Sequence, residues 1–499
     1  MAAIITETFR RKMRDLLEQD MIANPYYIGI GKSNSWEANS SGTVESATTF
    51  NVPIPKGTPG DDLETLNNLT SLLKITEENI SAAIPKVVWK SGQSYKAYNP
   101  HDETCFYSDT NTIFPCYAIN ESLPTKPLFL CIKKGTGPST EAPSLISYGY
   151  QLKTDGYAWV YVQDYINLDD TINSSSFLQI YKQNLVERGA EPSAIASCKN
   201  TFGGKIYGFT VVNGGSGYSI STPPNCYISI RRTSTAPISV PTTLQGTFNL
   251  KAIVQNVTIN GVTTNGVITG WEYESGQSLT TLLNDAANSE IISASVEIRP
   301  ASGTSGSGAL IVPHISPLNG FGYHPSKDFP GWYMGVYSKL EDDTDDTFFT
   351  PYRQISIVRK PSWDPALGLN APPTLRALRY FTIPQNTNID ISIVGVPIRI
   401  VTSGGSVPNP IIGYADLIYN DLDTNTKRLY FHQCYSSGFG HIPATGAILI
   451  GSISSQVTYS AVNSGEYTMN TGEIVFTENR KPISRAPQQA EELKIIIQL

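Results

Sequence analysis

At 499 residues the chain is long enough for about three domains and for more than one sizeable core. Its 36 basic and 43 acidic residues give a formal net charge of -7, which disfavours nucleic acid as the main partner. Only 16% of the residues are charged, against about a quarter in ordinary soluble chains, so a surface rich in Ser, Thr, Asn, Gly and Tyr is expected. Forty Gly, 33 Pro and 27 Tyr, without long helical periodicity beyond the amino-terminal part, predict a mainly β chain with many turns. No run of about 18 apolar residues occurs, and Thr6-Glu7 interrupts the opening apolar residues. Neither a membrane span nor a signal peptide is therefore expected, and synthesis in a cytoplasm follows. Cys105, Cys116, Cys131, Cys198, Cys226 and Cys434 are too sparse for a disulfide scaffold and too scattered for a zinc site, so free, mostly buried thiols are expected.

Residues 8–22 predict an amphipathic helix, with Phe9, Met13, Leu16 and Leu17 on a docking side and Arg10, Arg11, Lys12 and Arg14 on a solvated one. Gly31-Lys32-Ser33 imitates the end of a phosphate loop, but Tyr26 stands where that motif needs its first glycine. A strand, a glycine turn and an aromatic anchor at Trp36 is the simpler expectation. Thr58, Pro59 and Asp61 carry the cap, first-turn proline and capping-box signals of a second helix. That helix is predicted to bury Leu63, Leu66, Leu69, Leu72 and Leu73 and to continue, through a second piece from Thr76, to Pro85, giving helical structure over 59–84.

Short strands are predicted at 114–119, 128–133 and 157–165. The aromatics Tyr157, Trp159 and Tyr161 read as sheet packing, since no Lys or Arg flanks them as a base-stacking platform would require. Residues 201–315 are dominated by Gly, Ser, Thr, Asn and β-branched residues, and they hold a weak repeat. Gly204-Lys205-Ile206-Tyr207-Gly208-Phe209 recurs as Gly266-Val267-Ile268-Thr269-Gly270-Trp271, which suggests paired β units. Gly215-Ser216-Gly217 lacks the spacing of a nucleophile elbow and is expected to close a hairpin. Strands follow at 332–339 and 352–358 around an acidic stretch, 341–346, which lacks the fixed glycine and bidentate glutamate of a calcium loop. Asp421-Leu422-Asp423-Thr424-Asn425 also imitates a calcium loop, but Thr426 and His432 stand at its glycine and glutamate positions. A hairpin turn between 414–419 and 427–434 is expected instead. His432 and Cys434 share a strand face, and His441 is close enough in sequence to join them on a metal. A half-buried polar face is the simpler expectation. Two strands end the chain: one from Ile474 that breaks at Pro482, and one in which Leu493, Ile495, Ile497 and Leu499 share a face.

Several of these segments carry a resemblance. Gly472, Glu473, Ile474, Glu478, Asn479, Arg480, Pro482 and Ile483, followed by Glu491, Glu492, Leu493 and Ile495, resemble the carboxyl end of the baseplate wedge protein of T-even-like contractile-tailed bacteriophages, the gene product eight family. Tyr27 to Trp36, Ala83-Ile84-Pro85 with Trp89, Gly156 to Tyr161, and Tyr352 to Val358 resemble further segments of that family, in the same order. The resemblance implies a structural subunit of the wedge, with a multi-layered β-sandwich framework and helix-bearing amino-terminal segments. It implies a homodimer that contacts the other wedge proteins in the virion baseplate, and a baseplate that rearranges on attachment. Residues 1–197 and 321–499 would form the framework, 198–320 an inserted β module, and 375–460 an elongated connection. No catalytic, cofactor or metal residue is assigned, because no histidine or carboxylate lies in a catalytic spacing. The alternatives are a receptor-binding or glycan-binding tail module, with 198–320 touching a glycan or a neighbouring tail protein, and a tail-associated polysaccharide depolymerase or esterase.

Overall fold

A computed structural model describes residues 7–33, 36, 52–109, 113–165, 176–233, 242–243, 250–286, 288–302, 304–329, 333–340, 351–389, 393, 395–401, 410–433, 441–451, 456–483 and 491–499. The acidic stretch 341–346, Trp332 and Cys434 lie outside them. The chain is mainly β, with 46% strand against 14% helix and several packed antiparallel sheets, as its turn-rich composition predicts. It divides into two compact units, one of residues 1–11, 81–334 and 498–499, the other of residues 12–80 and 335–497.

The second unit is built from both ends of the sequence. Its five-stranded sheet runs, in spatial order, Thr374–Arg376, Leu69–Ile75, Tyr26–Gly31, Tyr352–Arg359 and Glu473–Ile483. Tyr26–Gly31 is buried throughout because it lies centrally, pairing antiparallel with strands on either side, Ile28 opposite both Leu73 and Ile357. Gly31 is required by close approach: a Cβ there would lie 2.3 Å from the carbonyl oxygen of Asn68. The turn itself falls on Lys32, at φ 61°. Tyr27, Leu66, Leu69, Leu72, Val358, Leu375 and Tyr467 form the core on one side of this sheet. Residues 379–463 add a seven-stranded sheet whose core includes Phe381 stacked on Phe431, with ring centroids 4.4 Å apart. The hairpin expected at 421–425 is present, joining Ile411–Asp421 to Thr426–His432 with Asn425 at φ 51°. The last strand, Glu491–Gln498, also sits in a sheet, beside Tyr333–Leu340, with Leu493 and Ile495 buried.

Several expectations are corrected. The second helix keeps its capping box, Thr58 with Asp61, but ends at Asn68 rather than running to 84. Leu69–Ile75 is a strand, a single 3-10 turn follows at Glu77–Asn79, and Ile80–Pro85 is again a strand. Asn67, Asn68, Thr70 and Ser71 are poor helix formers, and pairing on both edges of 69–75 outweighs the helical spacing of the leucines. Leu63, on the helix itself, is exposed. Pro482 does not end its strand, because Glu473–Ile483 lies at the sheet edge and a register shift between Tyr352 and Gln354 absorbs residues 480–482. Residues 113–119 form two short strands separated at Pro115-Cys116.

In the first unit, Tyr117–Ile119, Leu128–Lys133, Ala158–Gln163 and Tyr150–Leu152 make a four-stranded sheet. Its two faces feed separate clusters, one around Tyr95, Tyr157 and Trp159 and one around Leu130, Val160, Phe202, Tyr207 and Phe321. The aromatics of 157–161 are thus core, as their lack of basic neighbours implies. The Gly/Ser/Thr-rich stretch has a core of its own, made by Ile206, Phe209, Cys226, Ile228, Leu250, Val254, Ile268 and Ile311 among others. The matching positions of its weak repeat, Phe209 and Trp271, meet edge to face at 5.1 Å, and the Trp271 indole donates to the Phe209 carbonyl at 2.7 Å. Gly215 does not close a hairpin. It lies in Ile206–Ser216, which pairs with the distant strand Ser307–Ile315, and a Cβ there would lie 2.2 Å from the carbonyl oxygen of Ser307. The five described cysteines are free and buried.

Candidate functional site

The first helix, Glu7–Ala23, departs from expectation in most of its apolar side, although Lys12 is exposed and Leu17 half-buried as predicted. Phe9, Met13 and Leu16 are 54%, 42% and 57% exposed, whereas Arg14 is 7% exposed and pairs with Asp15 at 2.7 Å. The cause is Asp20. Its carboxylate accepts from Arg359 Nε at 2.7 Å and from the Tyr26 hydroxyl, and Arg359 also donates to Glu473 at 2.7 Å. The Arg359 guanidinium, then Tyr26, hold Asp20 at about 2, so it is ionised throughout the neutral range. These bonds fix the polar side of the helix inward and leave an i, i+4, i+7 apolar stripe in solvent. Sequence periodicity located the stripe correctly but could not say which side faces the body.

A groove of about 600 Å³ lies beside the edge strand Glu473–Ile483. One wall is the second helix with Asp61, Asp62 and Glu64. The other side is Pro53, Ile54 and Pro55, and the strand contributes Ile474 to Thr477 and Asn479. Lys32 and Trp36 close one end, with the Lys32 ammonium 5.4 Å from the Trp36 ring centre and the Trp36 indole donating to the Arg480 carbonyl at 3.2 Å. Trp36 is therefore the aromatic anchor expected of this segment, and Lys32 is buried against it rather than presented to a phosphate.

A short chain of amides fixes the polarity of this groove. The Pro53 carbonyl can only accept, so the nitrogen of Asn479 faces it, at 2.8 Å. Asn479 Oδ1 then receives Gln354 Nε2, also at 2.8 Å. Gln354 Oε1 is left as a buried acceptor without a partner, on a side chain only 6% exposed, and Thr477 Oγ1 is buried and unpartnered beside it in the lining. Asp61 is consumed by the helix cap, accepting from the Lys56 and Thr58 backbones, whereas no ion pair engages Asp62 or Glu64 among the described residues.

His432 is buried, whereas His441 is exposed, and Cys434 lies outside the described residues. Its Nδ1 lies 2.8 Å from Asp416 and 3.0 Å from the Ser33 hydroxyl. Ser, His and Asp are the residue types of a hydrolytic triad, in which each partner takes a different ring nitrogen, but here both lie at Nδ1. The cluster instead ties the turn after Gly31 to the seven-stranded sheet within its unit. Asp421 holds Arg428 at 2.5 Å and receives the Thr424 backbone, which accounts for its place in the hairpin without calcium. Among the described residues no group of three or more His, Cys, Asp or Glu side chains could hold a metal ion. In the Gly/Ser/Thr-rich stretch, the hairpin tip at Asn260-Gly261, both at positive φ, thrusts Ile259 and Val262 into solvent at 66% and 70% exposure.

Compared with known protein families and with curated proteins, the chain matches none. The geometry therefore bears on function by itself: two apolar or half-apolar surfaces on the second unit and one protruding tip on the first, each on a well-paired scaffold.

Proposed function

We propose that this chain is a non-enzymatic structural subunit of the baseplate wedge of a contractile phage tail, acting through protein-protein interfaces with the other wedge proteins and with a second copy of itself. The observation that carries the interface role is the first helix. An apolar stripe held in solvent by partly exposed ion pairs on the opposite side is a surface made to be covered. The wedge assignment draws on the resemblance, and one structural fact supports it. Three resembling segments far apart in sequence, 26–31, 352–359 and 473–483, are successive neighbours in one sheet.

Negative-stain microscopy of virions labelled with an antibody to this chain tests the location, with label expected at the baseplate. Label on the capsid or the far fibre tips overturns it. Light scattering on the purified chain tests self-association, and a monomer at all concentrations removes the homodimer. A second role is favoured by the exposed tip at Ile259 and Val262: contact of the 198–320 module with a glycan or a neighbouring tail protein. Retention of the intact chain on a saccharide array, lost on Ile259→Ser with Val262→Ser, supports the glycan; no retention leaves the protein contact.

A further inference from the structure

We infer that the groove beside Glu473–Ile483 is a docking site for an extended segment of a partner polypeptide that adds as a strand to this edge and inserts a lysine or arginine side chain. Three observations converge. The strand is the last in its sheet, and among the described residues no backbone partner lies along the outer edge of 474–479. An antiparallel or parallel newcomer could therefore satisfy that row of N–H and C=O groups. The groove's volume, about 600 Å³, lies within the range of binding clefts and takes several side chains. Six residues of strand span about 20 Å, enough for an incoming segment of similar length.

The amide chain sets the chemistry of the occupant. Gln354 must present oxygen, and Asp62 and Glu64 present carboxylates, so acceptors predominate in the walls over the exposed ammonium of Lys56, and the Thr477 hydroxyl can serve either way. The Lys32 ammonium is already placed against Trp36. A donor-rich cationic side chain matches these acceptors, whereas an acidic one finds Lys56 but faces two carboxylates and the Gln354 oxygen. Exposed Ile54 and Val475 border the groove and provide apolar contact for the stem of such a side chain. This inference rests on the reading of the chain as an interface protein, yet the two fail separately. Label away from the baseplate leaves peptide binding intact, and absence of peptide binding leaves the baseplate location intact.

The test is fluorescence anisotropy of the purified full chain with capped, labelled peptides of about eight residues, alternating Thr and Val around a central Lys, Arg or Glu. The Lys and Arg peptides are expected to bind about tenfold or more tightly than the Glu peptide. N-methylation of alternate backbone nitrogens should abolish binding, because it removes ladder donors. Asp62→Asn with Glu64→Gln, on the helix surface, should erase the preference for Lys over Glu, and Gln354→Leu should weaken the Lys peptide severalfold. Circular dichroism of each variant separates lost binding from lost fold. Equal binding of all three peptides, insensitivity to N-methylation, or competition by free lysine amide as strong as by the peptide would overturn the proposal, as would no binding at all.

Discussion

Asp328→Asn is the perturbation whose outcome the structure specifies most fully. Asp328 ends the short helix Pro325–Asp328 and is buried between Phe321 and Phe329 in the aromatic core of the first unit. One hydrogen bond reaches its carboxyl, from the Gly322 amide at 2.7 Å. Burial pushes its pKa up to about 8, opposed only by that bond, and the nearby Tyr98, Tyr207 and Cys198 offer no cation. In the unfolded chain the same carboxyl ionises near its ordinary value, about 3.9. Between these limits the unfolded state holds fewer protons than the folded one, so stability falls as pH rises, by up to about 1.4 kcal/mol per unit. The favourable contribution is full at acid pH and is lost as pH climbs toward 8. From pH 5 to 8 the loss is on the order of 3 kcal/mol. His314, pushed down to about 4 by burial and by His101, gives up a proton on folding below about pH 6.5 and adds a slope of opposite sign there, so the Asp328 slope stands alone only from about pH 6.5 to 8. Asparagine keeps an acceptor for Gly322 and cannot ionise, so the variant should lose this slope, matching the wild type below about pH 4 and exceeding its stability by on the order of 3 kcal/mol at pH 6. Hydrogen exchange read by mass spectrometry on the strand Ala158–Gln163, with the intrinsic pH dependence of exchange removed, reports the first unit locally. A wild-type profile that is flat from about pH 6.5 to 8, or a variant that keeps the wild-type slope there, refutes the reasoning.

Gly31→Ala places a Cβ 2.3 Å from a backbone oxygen that cannot swing away, and should cost the second unit about 3 kcal/mol, seen as a lower urea midpoint. Asp20→Asn removes the charge that holds Arg359 and Tyr26, and should free the first helix, so that trypsin cuts faster after Arg10, Arg11, Lys12 and Arg14. Met13→Glu with Leu16→Glu should leave the melting curve unchanged, because both side chains are exposed, while shifting light scattering toward monomer. Trp271→Phe keeps the ring contact with Phe209 but loses its hydrogen bond, and should destabilise the first unit by about 1 kcal/mol in the same exchange experiment.

Much was decided within the sequence itself. The turn-rich composition carried the mainly β class, Thr58 and Asp61 marked the start of the second helix, alternating apolar residues marked 128–133 and 352–358, and the 421–425 turn announced its hairpin. These signals are local, arising from backbone preferences and from the side-chain alternation of a strand. What tertiary structure alone decided is where local signals compete or say nothing. Leu69 to Leu73 have helical spacing yet form a strand, because edges on both sides offer ladder partners that an isolated stretch cannot foresee. The first helix hides Arg14 and shows Phe9, Met13 and Leu16, because Asp20 found Arg359 more than 300 residues away. The groove exists only once Pro53, Gln354 and Asn479 meet. Its acceptor character follows from a hydrogen-bond chain linking three remote parts of the sequence, and no single segment carries that information.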